Sequence, residues 1–190
     1  RQAQDEAAVQ EAMVHADTNM QRCRELAVLT QTLRVKAFAD VHAAELAILR
    51  GLPRQALSLL APALHDAEQA GLWAHVRALR LTQAEAALAA ADAALAQQAL
   101  VAVAARLDDG HEITSRIRYH RAMQAWHAAQ GQLAEAAQQA QAALALEQRR
   151  RYAQLQAQSK YLRTRLELEH LYRYRSSRSA STTTQPGTLG

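Results

Sequence analysis

A chain of 190 residues that is 49% hydrophobic, yet holds 45 alanines, two Trp and one Phe, has the apolar content of a globular domain without the large side chains that usually fill one. Its core has to come from close approach of helix backbones. With Ala, Leu, Gln, Glu and Arg abundant and strand-favouring residues sparse and scattered, a β-sheet is excluded in favour of an all-α fold. The net charge of +4 is concentrated: residues 147–178 carry nine Lys or Arg against three Glu, which leaves the remainder near −2. A lone cysteine, Cys23, excludes an intramolecular disulfide and permits a reducing compartment. No run approaches the roughly eighteen apolar residues of a membrane span and no signal peptide is visible, so a cytoplasmic location without membrane contact is expected. Arg1 stands first in place of Met, which leaves open what precedes it.

In chain order, residues 4–16 place Ala8, Ala12 or Met13, and Ala16 on one helical face. Asp17-Thr18-Asn19 then offers an N-cap for a second helix, whose stripe of Leu26, Leu29, Leu33, Ala37, Val41, Ala44 and Ile48 predicts a buried face running to Arg50. Gly51 closes that helix. Pro53 suits the first turn of the next one, and Pro62 near its middle is expected to kink or split it. A further unit over residues 72–109 turns at Ala91-Asp92. Gly110 and His111-Glu112 lead into a helix marked by Ile113, Ile117, His120 and Gln124, which ends at Gly131. The interior glycines Gly51, Gly71, Gly110 and Gly131 are 20, 39 and 21 residues apart, which predicts a helical hairpin of about forty residues as the recurring unit.

From Glu147 to Arg175 there is neither Gly nor Pro, and one long basic helix is predicted. Leu155, Ser159, Leu162 and Leu166 follow at steps of four, three and four, the spacing of a short coiled-coil seam, and Leu168 with Tyr172 begins a second stripe. Residues 176–190, rich in Ser, Thr and Gly, read as a flexible linker. The organisation expected is thus hairpin repeats over 1–146, a connecting helix over 147–175 with Leu155, Leu162 and Leu166 as a homodimer seam, and a linker over 176–190.

The stretch Ala44…Gly51…Ala56…Leu60…Ala63, with small residues flanking a turn glycine, resembles the tetratricopeptide repeat, and the pattern returns as Gln124…Gly131…Ala136…Ala140…Ala143. Units near forty residues where that repeat has about thirty-four, with Gln124 and Asp40 at usual packing positions, make the likeness closest to the longer, degenerate repeats of bacterial regulators, over residues 20–146. The resemblance implies a hairpin solenoid whose concave groove takes a protein or peptide. It places Arg118 and Arg121 toward that groove, where paired guanidiniums can grip a carboxylate. Trp126 is either an anchor for such a peptide or a filler of a core short of large side chains. Hairpins followed by an Arg-rich helix resemble the junction at which bacterial sensors pass into an output domain, a GGDEF-type diguanylate cyclase being favoured. A transcription regulator with an adjoining helix-turn-helix and a free-standing peptide-binding adaptor are the alternatives.

No catalytic constellation stands out: there is no glycine-rich phosphate loop, no nucleophile elbow and no supported carboxylate pair. His120 and His127 are seven apart without a third ligand, and Cys23 between Arg22 and Arg24 is a packed or surface thiol by default. Neither metal nor cofactor is expected. The basic helix has few interleaved aromatics, so nucleic acid is not expected as a partner.

Overall fold

The computed structural model describes residues 2–107 and 112–182, with side chains described over 8–107 and 112–171. Among the described residues there are seven α-helices and no strand: α1 (Gln2–Leu29), α2 (Leu33–Leu49), α3 (Pro53–Gln69), α4 (Trp73–Ala89), α5 (Ala93–Ala104), α6 (Ile113–Ala129) and α7 (Leu133–Thr182). The helix starts at 33, 53, 73, 93, 113 and 133 fall at intervals of twenty residues. None of these helices is long and apolar enough to cross a membrane.

The same hydrogen-bonded closure produces this period. After α2 the N–H of Gly51 donates to Ile48 O (2.9 Å) and that of Leu52 to Ala47 O (2.9 Å), the pair of bonds that defines a Schellman motif. It recurs as Gly71 to Glu68 with Leu72 to Ala67, and as Gly131 to Ala128 with Gln132 to His127. Two further copies lack glycine: Gln31 donates to Val28 O with Thr32 to Ala27 O, and Ala91 to Leu88 O with Asp92 to Ala87 O. All five central residues have positive φ, between 49° at Gln31 and 74° at Gly131. Gly110 lies outside the described residues.

The copy at Gln31 corrects the expected first boundary. Residues 17–19 do not start a helix; they lie inside α1, where Thr18 Oγ1 donates back to Val14 O (3.0 Å) and Asp17 pairs with Arg50. The break falls at residues 30–32, so Leu26 and Leu29 belong to α1 and are exposed, while Ala37, Val41 and Ala44 on α2 are buried. Pro62 does not split α3, which runs unbroken from Pro53. Helix α7 starts at Leu133, earlier than Glu147, and continues to Thr182, so residues 176–182 are helical; 183–190 are outside the described residues.

By its internal contacts the chain divides into two units, Arg1–Leu146 and Glu147–Gly190. Within the first, each helix packs on the next from α1 to α6, and the even-numbered helices also touch in succession, α2 on α4 and α4 on α6. Sixteen of the twenty-six buried apolar residues described are alanine, which is what lets backbones of consecutive helices approach closely. Larger side chains sit at the centre of each contact: Leu60, Leu64, Val76 and Leu79 join α3 to α4, and Leu100 meets Ala84, Ala99 and Ala122 between α4, α5 and α6. In the second unit, residues 151–171 of α7 are exposed throughout.

Candidate functional site

The even-numbered helices carry the most elaborate polar constellation among the described residues. Arg118 on α6 donates from Nε and Nη2 to both carboxylate oxygens of Glu85 on α4 (3.0 and 2.7 Å), and from Nη2 to Thr82 Oγ1 (3.0 Å). Its Nη1 lies 3.0 Å from Glu45 Oε1 on α2. One guanidinium therefore ties three helices together, with two carboxylates for its single charge. Burial works against the charged form of Arg118, but the Glu85 hydrogen bonds and the charges of Glu85 and Glu45 outweigh it and raise the pKa further above its ordinary range. Thr82, fully buried, is satisfied by donating to Ala78 O while accepting from Arg118.

Glu45 also meets His42 Nδ1 (2.8 Å), whose ring packs edge-on against Phe38 at 4.3 Å. Glu45, Ile48 and Leu49 of α2, Glu85 of α4, and Arg118 and Arg121 of α6 enclose an open hollow of about 440 Å³. The two arginines singled out by sequence thus share one site. Arg118, however, is engaged internally by Glu45 and Glu85, where a guanidinium free to grip a ligand carboxylate was expected. Trp126 is not part of this hollow: its Nε1 donates to Ala93 O (2.9 Å), and its ring packs against the cluster formed by Ala84, Ala99, Leu100 and Ala122. It fills the α5–α6 contact, the second of the two roles weighed for it.

Glu45, Glu85 and Thr82 were missed by motif reading. The signal that finds them is the repeat itself, since Glu45 and Glu85, forty residues apart, occupy one position of α2 and α4. Other interhelical pairs surround the site: Arg24 with the buried Asp40 (2.9 and 3.0 Å), Lys36 with Asp66, and Arg80 with Glu68 (2.7 Å). Asp40, noted as an odd packing residue, is thereby explained as the buried end of an α1–α2 ion pair.

His120 and His127 have separate partners, Gln139 Oε1 at 2.8 Å and Gln132 Oε1 at 2.6 Å. No group of three metal-ligating side chains occurs among the described residues. Cys23 is half-buried on α1. In the second unit, Leu155, Leu162 and Leu166 are exposed at 58, 56 and 65%, and helical geometry sets them within about 40° of one another around the axis. Alongside them, Arg163–Glu167 and Arg165–Glu169 form i,i+4 pairs. Compared with known proteins, the chain matches no protein-family model, no curated protein and no solved structure.

Proposed function

We infer that this chain is a non-catalytic, tetratricopeptide-like interaction region that regulates a signalling output through α7. The first unit binds a protein or peptide on its even-numbered helices, and the output that the resemblance favours is a diguanylate cyclase. The observation that carries the reading is the leucine stripe of α7: three leucines on one face, each more than half exposed, on a helix whose other faces are laced with Arg–Glu pairs. An amphipathic seam of this kind is stabilised by a second helix. A second copy of the chain supplies the matching stripe.

The hollow of Glu45, Glu85, Arg118 and Arg121 supports a binding role because it is built from three helices at once. A ligand that competes for Glu45 or Glu85 alters the bridge that fixes the spacing of α2, α4 and α6. Such a change between stacked elements is the kind of small displacement that a signalling region can pass on.

The seam is tested by sedimentation of the wild type against Leu162→Asp and Leu166→Asp. A concentration-dependent dimer that becomes monomeric in both variants is expected, together with altered output when the same substitutions are placed in the full-length protein. A wild type that stays monomeric at high concentration, with unchanged output in the variants, overturns the reading.

A further inference from the structure

A second hollow, sharing no residue with the first, lies where α3, α4 and α5 meet. It encloses about 290 Å³, at the lower end of the range typical of small-molecule sites. Its apolar lining includes the buried Val76 of α4 and Val103 of α5 with Ala102, and its charged groups are the guanidiniums of Arg77, Arg80 and Arg106 and the carboxylate of Glu68. Arg80 is neutralised by Glu68 at 2.7 Å and also donates to Gln83 (3.0 Å). Arg106 lies over the indole of Trp73, its guanidinium carbon 3.7 Å from the ring centre. Arg77 differs from both, because its Nε–H is buried with no hydrogen-bond partner among the described residues.

A buried donor without an acceptor is destabilising, and a buried guanidinium donor more so, because it has lost water and gained nothing in return. The Arg77 side chain that carries it lines a pocket in which apolar side chains stand beside three guanidiniums. Glu68 is the sole carboxylate among the described lining residues, and it is already committed to Arg80. Among the described lining residues guanidiniums outnumber carboxylates three to one, and the apolar side chains beside them specify what a bound anion is attached to.

We propose that this pocket binds a small apolar carboxylate. Its carboxylate accepts from Arg77 and Arg106, and its apolar body rests on Val76 and Val103 beside Trp73. Charge-assisted bonds to two guanidiniums supply orientation, and burial of the body supplies the rest. The site is independent of the even-helix hollow and of the α7 seam.

Calorimetric titration of the intact chain with phenylacetate and with hexanoate tests the proposal and separates an aromatic from an aliphatic body. Trp126→Phe leaves Trp73 as the one tryptophan, so its fluorescence gives a local readout of the same event. One-site binding of at least one of the two acids, with a Kd of about 1 mM or tighter, is expected. Arg77→Met and Arg106→Met should each weaken it by about tenfold or more, with helicity by circular dichroism unchanged. Phenylacetamide, which keeps the ring and loses the charge, should bind far more weakly than phenylacetate. Absence of saturable binding of both acids by the wild type overturns the proposal, as does binding unaffected by the two Arg substitutions. Binding of acetate or inorganic phosphate as tight as that of the larger acids would make this a bare-anion site and overturn the assigned class.

Discussion

Ala91 and Gln31 hold the left-handed turn position that glycine takes at residues 51, 71 and 131. A Cβ is disfavoured there by about 1–2 kcal/mol, against which glycine loses roughly 0.4–1 kcal/mol through the greater freedom of its unfolded chain. Ala91→Gly and Gln31→Gly should therefore each stabilise the protein by about 0.5–1 kcal/mol. In thermal unfolding this corresponds to a rise of roughly 1–4 °C in Tm for a chain of this size; a fall would mean that the backbone at these turns is not held left-handed by the flanking Schellman bonds. Arg118 is the residue whose loss should be felt furthest. Replacing it by Met leaves Glu45 and Glu85 without their shared cation and Thr82 without its donor. Because these side chains are about one-third exposed, the expected cost is about 1–3 kcal/mol, short of that for a fully buried pair. Urea denaturation measures it, and a variant as stable as the wild type would show that the bridge is dispensable.

At the scale of elements, the hairpin period was legible because three of the five described turns use glycine, whose interval of about twenty residues survives any uncertainty about which face of an alanine-rich helix is buried. The turn at Ala91 was legible as well, through Asp92, whose carboxylate accepts from the N–H of Leu95 (3.0 Å) and caps α5. The α1–α2 boundary was not. Gln31 gives no turn signal, and Thr32 makes no side-chain cap, whereas Asp17-Thr18-Asn19 has cap chemistry with no turn to go with it. Of the site, the arginines of α6 were accessible from register, but their acidic partners sit on other helices and emerge only once the helices are aligned at forty-residue intervals. Pairing across elements also makes stability pH-dependent. The hydrogen bond from Lys36 on α2 holds Asp66 on α3 below the usual carboxylate range, more than offsetting its desolvation. A depressed folded-state pKa contributes stability above the unfolded value of about 3.9, and the contribution disappears as the pH falls through the folded value. Asp66→Asn should be less stable than the wild type at pH 7 by under about 1 kcal/mol, given the exposure of both partners. The two unfolding curves should converge as the pH falls through the depressed folded-state value; a constant gap across the range would assign the effect to packing.

At the scale of the whole molecule, the two units differ in what holds them. Residues up to Leu146 depend on neighbours: α1 to α6 each bury alanine faces against adjacent helices, backbone contacts among the described residues run to the next helix and the next but one, and the Arg118–Glu45 ion pair reaches further, from α6 to α2. Residues 151–171 bury nothing of their own and are supported by helix propensity and i,i+4 pairs, each worth only a few tenths of a kcal/mol. The regularity of the Schellman turns has a mechanical consequence. Drawn out by its ends, such a stack peels from an end and releases hairpins in turn, with the Arg118 bridge to Glu45 and Glu85 as the clasp that has to part before α2, α4 and α6 separate. Each forty-residue unit would lengthen the chain by up to roughly 130–145 Å, a staircase of equal treads whose spacing is set by the left-handed residues at 31, 51, 71 and 91.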